Sequence, residues 1–349
     1  MLLYLAIWIV FPAPVEQLLP LAIAAPEVSP LLLIAAFLLG LYAVRDSSRL
    51  LTAFVCGVTI LLCAVPLAQV PSTQRAFDQA TAGIEPATTA GIERVSITRG
   101  VVFAEPEGQA LTLDLYRPES DKLFPVVIQI YGGAWRSGGP GDDAAFASRL
   151  AKDGYLVVSI DYRHAPQSRW PAQIDDVRAA LDWVIAHAGE NGGDSQHVAL
   201  LGRSSGAQLA LVAAYTEPAR IDAVVSFYGP TNLVEGWNEP PSPDPLKIRS
   251  ILEALFGGQP GDLQRVYEAA SPITYVSRRV PPTLLVYGGR DHVVEARFGR
   301  ELHEKLMAAG ATSVYLELPW AEHAFDKVPG VSAWVTRPYI ERFLAKYLR

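Results

Sequence analysis

Cysteine is nearly absent from this 349-residue chain: Cys56 and Cys63 are the two it has, and both fall inside one apolar run. Seven residues apart on one helical face, they fit small packing residues rather than a disulfide or a metal pair. No cysteine follows residue 63, so disulfides and thiolate metal sites are excluded from the rest of the chain. No Cys/His ligand cluster stands out, and neither a metal nor a cofactor is expected. His303-Glu304 opens like H-E-x-x-H, but Met307 stands where the second histidine belongs. Gly138-Gly139-Pro140-Gly141 lacks the strand-to-helix setting of a nucleotide loop. Positive charge is scarce too. Lys and Arg number 29 against 36 Asp and Glu, a net charge of −7 without a long basic run. That excludes the electrostatic footprint of a nucleic-acid binder.

Charge of either sign is rare at the N-terminus. Residues 1–70 carry Glu16, Glu27, Arg45, Asp46 and Arg49 and no other charged side chain. Leu50–Val70 has none and is long enough to cross a bilayer core of ~30 Å. Pro30–Val44 is a shorter apolar run. Met1–Val15 is a third, weakened by Pro12, Pro14 and the nearby Glu16. Residues 1–70 are therefore expected to form a membrane region of two or three helices, with the lipid bilayer as a partner. No Lys or Arg precedes Arg45, so the basic start of a cleaved signal peptide is missing. With the Arg45–Arg49 loop on the cytoplasmic side, the chain after Val70 emerges on the other side, an extracytoplasmic catalytic domain.

Residues 71–93 are rich in Ala, Thr, Gly and Pro and read as a linker. From Arg94 to the C-terminus apolar strands alternate with amphipathic helices, which argues a mostly parallel sheet covered on both faces, the α/β class. Val95–Ala104 and Ala110–Tyr116 read as an antiparallel opening pair. Strands follow at Pro125–Ile130, Tyr155–Ile160, His197–Leu201, Ala223–Tyr228, Thr283–Tyr287 and Ser313–Leu318. Helices are expected over 142–153, 172–187, 295–309 and 331–348. Residues 229–280 interrupt the alternation with a Pro-rich stretch and two helical runs, and read as a cap-like insertion over the site.

Gly202-Arg203-Ser204-Ser205-Gly206 follows one apolar strand and precedes the helical run from Ala207. This is G-x-S-x-G in its strand–turn–helix setting, which lifts a serine hydroxyl above the sheet edge. A hydroxyl needs a base to become nucleophilic, and the base needs a carboxylate to fix its tautomer. Of the six histidines, His187 and His303 lie on helices, and His197 begins a strand at the wrong end of the sheet. His164 precedes the nucleophile, and His292 adjoins the best acid too closely to bridge to it. His323, right after the final strand, is the candidate base. Asp291, after a strand and the turn Gly288-Gly289, is the candidate acid, with Glu295 in reserve. Tyr131-Gly132-Gly133-Ala134-Trp135 follows a buried strand. The backbone amides of Gly133 and Ala134, with that of Ser205, are the candidate oxyanion donors.

With these stretches, and with Asp161-Tyr162-Arg163-His164-Ala165-Pro166, Gly289-Arg290-Asp291 and Glu322-His323-Ala324-Phe325, residues 94–349 resemble the α/β-hydrolase superfamily. Within it they are similar to the hormone-sensitive-lipase-like carboxylesterases and to bacterial esterases of the feruloyl and acetylxylan type. The resemblance implies an α/β-hydrolase fold, a Ser-His-Asp triad, a small-molecule ester substrate, and a supporting role for Asp161–Pro166 beneath the active-site loops. Two departures stand out. Tyr131 and Ala134 replace the first and last residues of His-Gly-Gly-Gly, and Ser205-Gly206-Ala207 replaces Ala-Gly-Gly. The expected activity is a membrane-anchored serine hydrolase of carboxylic esters. An amidase or peptidase with the same triad, and a silent hydrolase-like binding domain, are the alternatives.

Overall fold

The computed structural model describes residues 1–45, 49–85 and 91–348. Four helices come first: α1 (Leu2–Ala6), α2 (Leu19–Glu27), α3 (Ser29–Ala43) and α4 (Leu50–Ala80). The rest alternates as β1 (Val95–Ala104), β2 (Leu111–Pro118), β3 (Phe124–Ile130), α5 (Ala144–Lys152), β4 (Leu156–Ile160), α6 (Ala172–His187) and β5 (Gly193–Arg203). Then come α7 (Ser205–Thr216), β6 (Ala223–Phe227), the insertion helices α8 (Leu233–Asn238), α9 (Ile248–Phe256) and α10 (Pro260–Ala269), β7 (Thr283–Gly288), α11 (Ala296–Ala308), β8 (Ser313–Leu318) and α12 (Val331–Tyr347).

The eight strands form one sheet in the order β1-β2-β4-β3-β5-β6-β7-β8. β1 and β2 pair antiparallel, β2 meets β4 antiparallel, and every later pairing is parallel. Every residue of β4, β6 and β7 is buried. Since strand side chains alternate between faces, that requires cover on both sides, which is why these strands read as continuous apolar runs. β1 is an edge strand and largely exposed. The β3, β5, β6, β7 and β8 ends that feed loops on one rim carry every candidate of the site, the usual place for ligands on an open parallel sheet.

The N-terminal region departs from expectation in two places. Met1–Val15 is not a spanning helix: α1 passes into a single 3-10 turn at Ile7–Ile9, and the chain bends at Phe11 and again at Pro14. Five helical residues rise about 7.5 Å, far short of a bilayer. Among the described residues, one helix is long and apolar enough to cross a membrane: α4, with a mean hydropathy of 2.5 over its most apolar stretch. The residues 16–27 and α3 pass the same test as a pair bent by 75°. The linker expected from residue 71 also begins later, because α4 runs on to Ala80 through Pro66 and Pro71. Tertiary contact overrides the prolines here. Phe77 is buried edge-on against Tyr339 of α12, with ring centroids 5.2 Å apart, and Tyr339 Oη donates to Asp78 Oδ1 at 3.0 Å. Residues 86–90 of that linker and 46–48 of the Arg45–Arg49 loop lie outside the described residues.

Candidate active site

Ser204 sits between β5 and α7 with φ 51° and ψ −120°, a conformation that costs a non-glycine residue of order 1–3 kcal/mol. The neighbours hold it there. Ser204 N donates to Phe227 O of β6 at 2.9 Å. A side chain at Gly202 would run into the Gly206 backbone, and one at Gly206 into the carbonyls of Ile130 and Tyr131. Both ends of the motif are therefore glycine because strand, turn and helix close on one another without room for a Cβ.

The geometry brings Ser204, His323 and Asp291 together. His323 Nε2 lies 3.0 Å from Ser204 Oγ, and His323 Nδ1 lies 2.7 Å from Asp291 Oδ2. Asp291 Oδ1 accepts from the amides of Val293 and Val294 at 2.8 and 2.7 Å. Burial raises the Asp291 carboxyl above the ordinary range, opposed by His323 and by the Val294 amide. Glu295, the reserve acid, pairs instead with Arg297 at 2.9 Å.

The loop after β3 carries Gly133, Ala134 and Trp135 with φ of 155°, 55° and 57°. Gly133 N donates to Ser205 Oγ at 3.0 Å. Ser205 opens α7, where backbone N–H groups are unpaired within the helix and favour negative charge. Tyr131, standing where the resembling family has histidine, anchors the loop from below. Its Oη donates to Asp161 Oδ1 at 2.5 Å, lies 2.8 Å from His164 Nε2, and its ring stacks on Tyr162 at 4.5 Å. The Asp161–Pro166 stretch thus contacts the candidate oxyanion loop directly. Trp135 is fixed by its indole N–H to Gln208 Oε1 at 2.9 Å.

Two arrangements escaped the sequence reading. Glu322 is buried and accepts from His292 N at 2.6 Å and from His323 N at 3.0 Å, while its Oε2 lies 2.6 Å from His292 Nδ1. That hydrogen bond raises the His292 imidazole above its ordinary value of 6.5. Glu322 was legible as a carboxylate beside the candidate base, but which histidine it held was not. The second is a buried cluster beside Ser204. Arg203 Nε donates to Asp326 Oδ2 at 2.6 Å, and Arg203 Nη1 lies 3.5 Å from Asp143 Oδ2, which Lys327 also joins. Burial alone would raise Asp326, yet Arg203 and Tyr228 hold it below the usual range. Tyr228 donates to Asp326 at 2.5 Å and places its ring 4.6 Å from that of His323. Arg203 looked like a variable position within G-x-S-x-G; its partners lie 60 and 123 residues away.

A cavity of about 330 Å³ opens at Ser204 and His323, lined by Leu233, Leu246, Ile251 and Leu252 of the insertion and by Phe298 of α11. No group of His, Cys, Asp and Glu able to hold a metal occurs among the described residues.

Comparison with known proteins agrees with this architecture. The BD-FAE family model matches residues 113–306, more than half of the chain, taking in Ser204 and Asp291 and stopping short of His323. Esterase LipC of Mycobacterium tuberculosis is 34% identical over 262 residues, 70% of this chain and 64% of its own. The probable carboxylic ester hydrolase LipM of the same organism is 35% identical over 260 residues, covering 68% and 59%. This chain thus spans about three fifths of these relatives' length. The solved structure of EstE1, a thermostable carboxylesterase from a metagenomic library, shares the fold with a TM-score of 0.62 and 24% identity, over 81% of this chain and 98% of that one. A truncated carbohydrate esterase from gut microbiota does so at 0.63 and 23%, over 75% and 99%.

Proposed function

The chain belongs to the BD-FAE family, within the α/β-hydrolases, and from that premise we propose that it is a membrane-anchored carboxylic ester hydrolase working through Ser204, His323 and Asp291. The observation that carries this is the unbroken relay from Ser204 Oγ through His323 to Asp291, at 3.0 and 2.7 Å, beneath an apolar cavity. The naming of its relatives as esterases and carboxylic ester hydrolases supports the substrate class.

In this reading His323 Nε2 takes the Ser204 proton as Oγ attacks the ester carbonyl carbon. Asp291, facing Nδ1, holds the tautomer that leaves Nε2 free to accept and stabilises the imidazolium. Negative charge on the carbonyl oxygen falls to the amides of Gly133, Ala134 and Ser205; Gly133 N shares its donor with, or leaves, Ser205 Oγ to serve it. The tetrahedral adduct collapses, and His323 protonates the departing alkoxide. Water, deprotonated by His323, then attacks the acyl-enzyme, and Ser204 recovers its proton as the carboxylic acid leaves. No step calls for a metal or cofactor.

The membrane part of the reading rests on exposed apolar side chains along α3 and α4, among them Ile34, Phe37, Leu51 and Phe54, each more than half exposed. Water tolerates single exposed leucines but not a surface this continuous. The test is hydrolysis of p-nitrophenyl esters from acetate to palmitate by the full chain. Ser204→Ala is expected to lower kcat by about 10⁴-fold or more. An ester turnover that survives this substitution, or a folded chain that cleaves no ester and takes no fluorophosphonate on Ser204, refutes the proposal.

A further inference from the structure

The cavity beside Ser204 has a wall that the sheet and its insertion do not supply: Glu16, from the N-terminal segment, borders it together with His323. That segment is tied to both loops that carry the acid and the base. Arg290, next to Asp291, donates through Nη2 to Val10 O. On the other side α2 lies against the turn that follows His323, and Glu27 at its end accepts from Ser332 N and Oγ at 2.8 and 2.5 Å. Outward, beyond the exposed Glu16 and Gln17, lie uncovered apolar side chains. Phe11 is 60% exposed and Val15 46%, and the elements on either side of the segment, α1 and α2, adjoin α3, whose outer face is apolar as well, while α1 also adjoins the apolar α4. Inward, the wall given by Leu233, Leu246, Ile251, Leu252 and Phe298 is aliphatic and aromatic, with Arg136, Glu239 and Lys327 among the charged side chains beside it. An acetyl group leaves most of it unfilled, whereas each methylene of a longer chain gains about fourfold on leaving water.

We propose that residues 10–18 form the membrane-side lip of the active site, and that its substrate is an amphiphilic ester whose aliphatic chain enters the cavity from the lipid. This rests on the esterase and membrane readings above and names the substrate class for them. The lip joins an uncovered apolar surface to an apolar cavity at the nucleophile, so a chain dissolved in lipid reaches Ser204 without crossing water.

The test uses the full chain in phosphatidylcholine vesicles, with p-nitrophenyl laurate and p-nitrophenyl acetate as substrates and the ratio of their kcat/KM as the readout. The wild-type ratio is expected to be tenfold or more in favour of laurate. Glu16→Trp, which narrows the lip, and separately Phe11→Asp, which puts a charge on its outer side, are each expected to lower that ratio at least tenfold. A wild-type ratio below two, or a ratio that neither variant moves by twofold, overturns the proposal. A short fluorophosphonate on Ser204 reports the fold of each variant and separates the two levels of failure. Labelling with a preference for acetate sinks lipid entry alone; no label and no turnover in the wild type sinks the esterase reading with it.

Discussion

Asp291 holds its two oxygens in different employment: one takes two backbone amides, the other faces His323. Under the proposed mechanism, Asp291→Asn keeps the shape but offers His323 an N–H or a weaker acceptor, so the imidazole loses the tautomer that accepts from Ser204. A fall in kcat of about 10⁴-fold is expected, with the melting temperature close to that of the wild type. Steady-state kinetics beside a thermal melt distinguish this from simple unfolding. The second carboxylate–histidine pair next door, Glu322 with His292, predicts a pH signature rather than a rate. Because its pairing raises His292 above 6.5, the protonated imidazole contributes stability that is complete below that value and lost as pH rises through its higher folded value. The melting-temperature gap between wild type and His292→Gln is expected to be widest near pH 6 and to close toward pH 9. A gap that stays constant with pH contradicts the assignment.

At the scale of elements, Arg203 joins three of them. It ends β5, reaches Asp143 at the N-terminus of α5, and pairs with Asp326 after the His323 loop, with its guanidinium 4.4 Å from the Phe146 ring. Removing the cation leaves two buried carboxylates against Lys327 alone. Arg203→Met is therefore expected to cost about 3–5 kcal/mol, read from urea unfolding monitored by tryptophan fluorescence. Such long-range partnerships are also where the sequence was mute. Strand ends and turn chemistry singled out Ser204, Asp291 and His323 because each lies at the end of a strong apolar run, and His323 lies within hydrogen-bond distance of the other two. Helix α6 and strand β8 were legible at both ends, since their periodicity is clean. β5 begins at Gly193, earlier than its apolar run, because Gly193 and Asp194 pair with Phe124 and Pro125, and Ser195–His197 bulge before Val198 rejoins the ladder opposite Val126. α4 outlasts its prolines because Thr73 and Phe77 are buried against the C-terminal part of the fold, a contact that local pattern does not encode.

For the whole molecule the decisive fact is that the N-terminal region is not an appendage. Glu27 serves as the acceptor for Ser332 in the first turn of α12, and a side chain at Gly330 would collide with it. Glu27→Ala leaves the buried Ser332 amide without a partner, an expected loss of about 1–3 kcal/mol. The measurement is a thermal melt of the full chain in one detergent, and an unchanged melt speaks against a shared fold. The Glu27–Ser332 contact spans 305 residues, and this has a consequence for the birth of the protein. The N-terminal helices leave the ribosome long before α12 exists. The stretch from Glu27 to Ser332 must be translated, and α12 docked back onto α2, before this contact exists. During synthesis α2 thus leaves the ribosome well before the partner that buries its Glu27, and this contact, like other pairings of high sequence separation, is closed late.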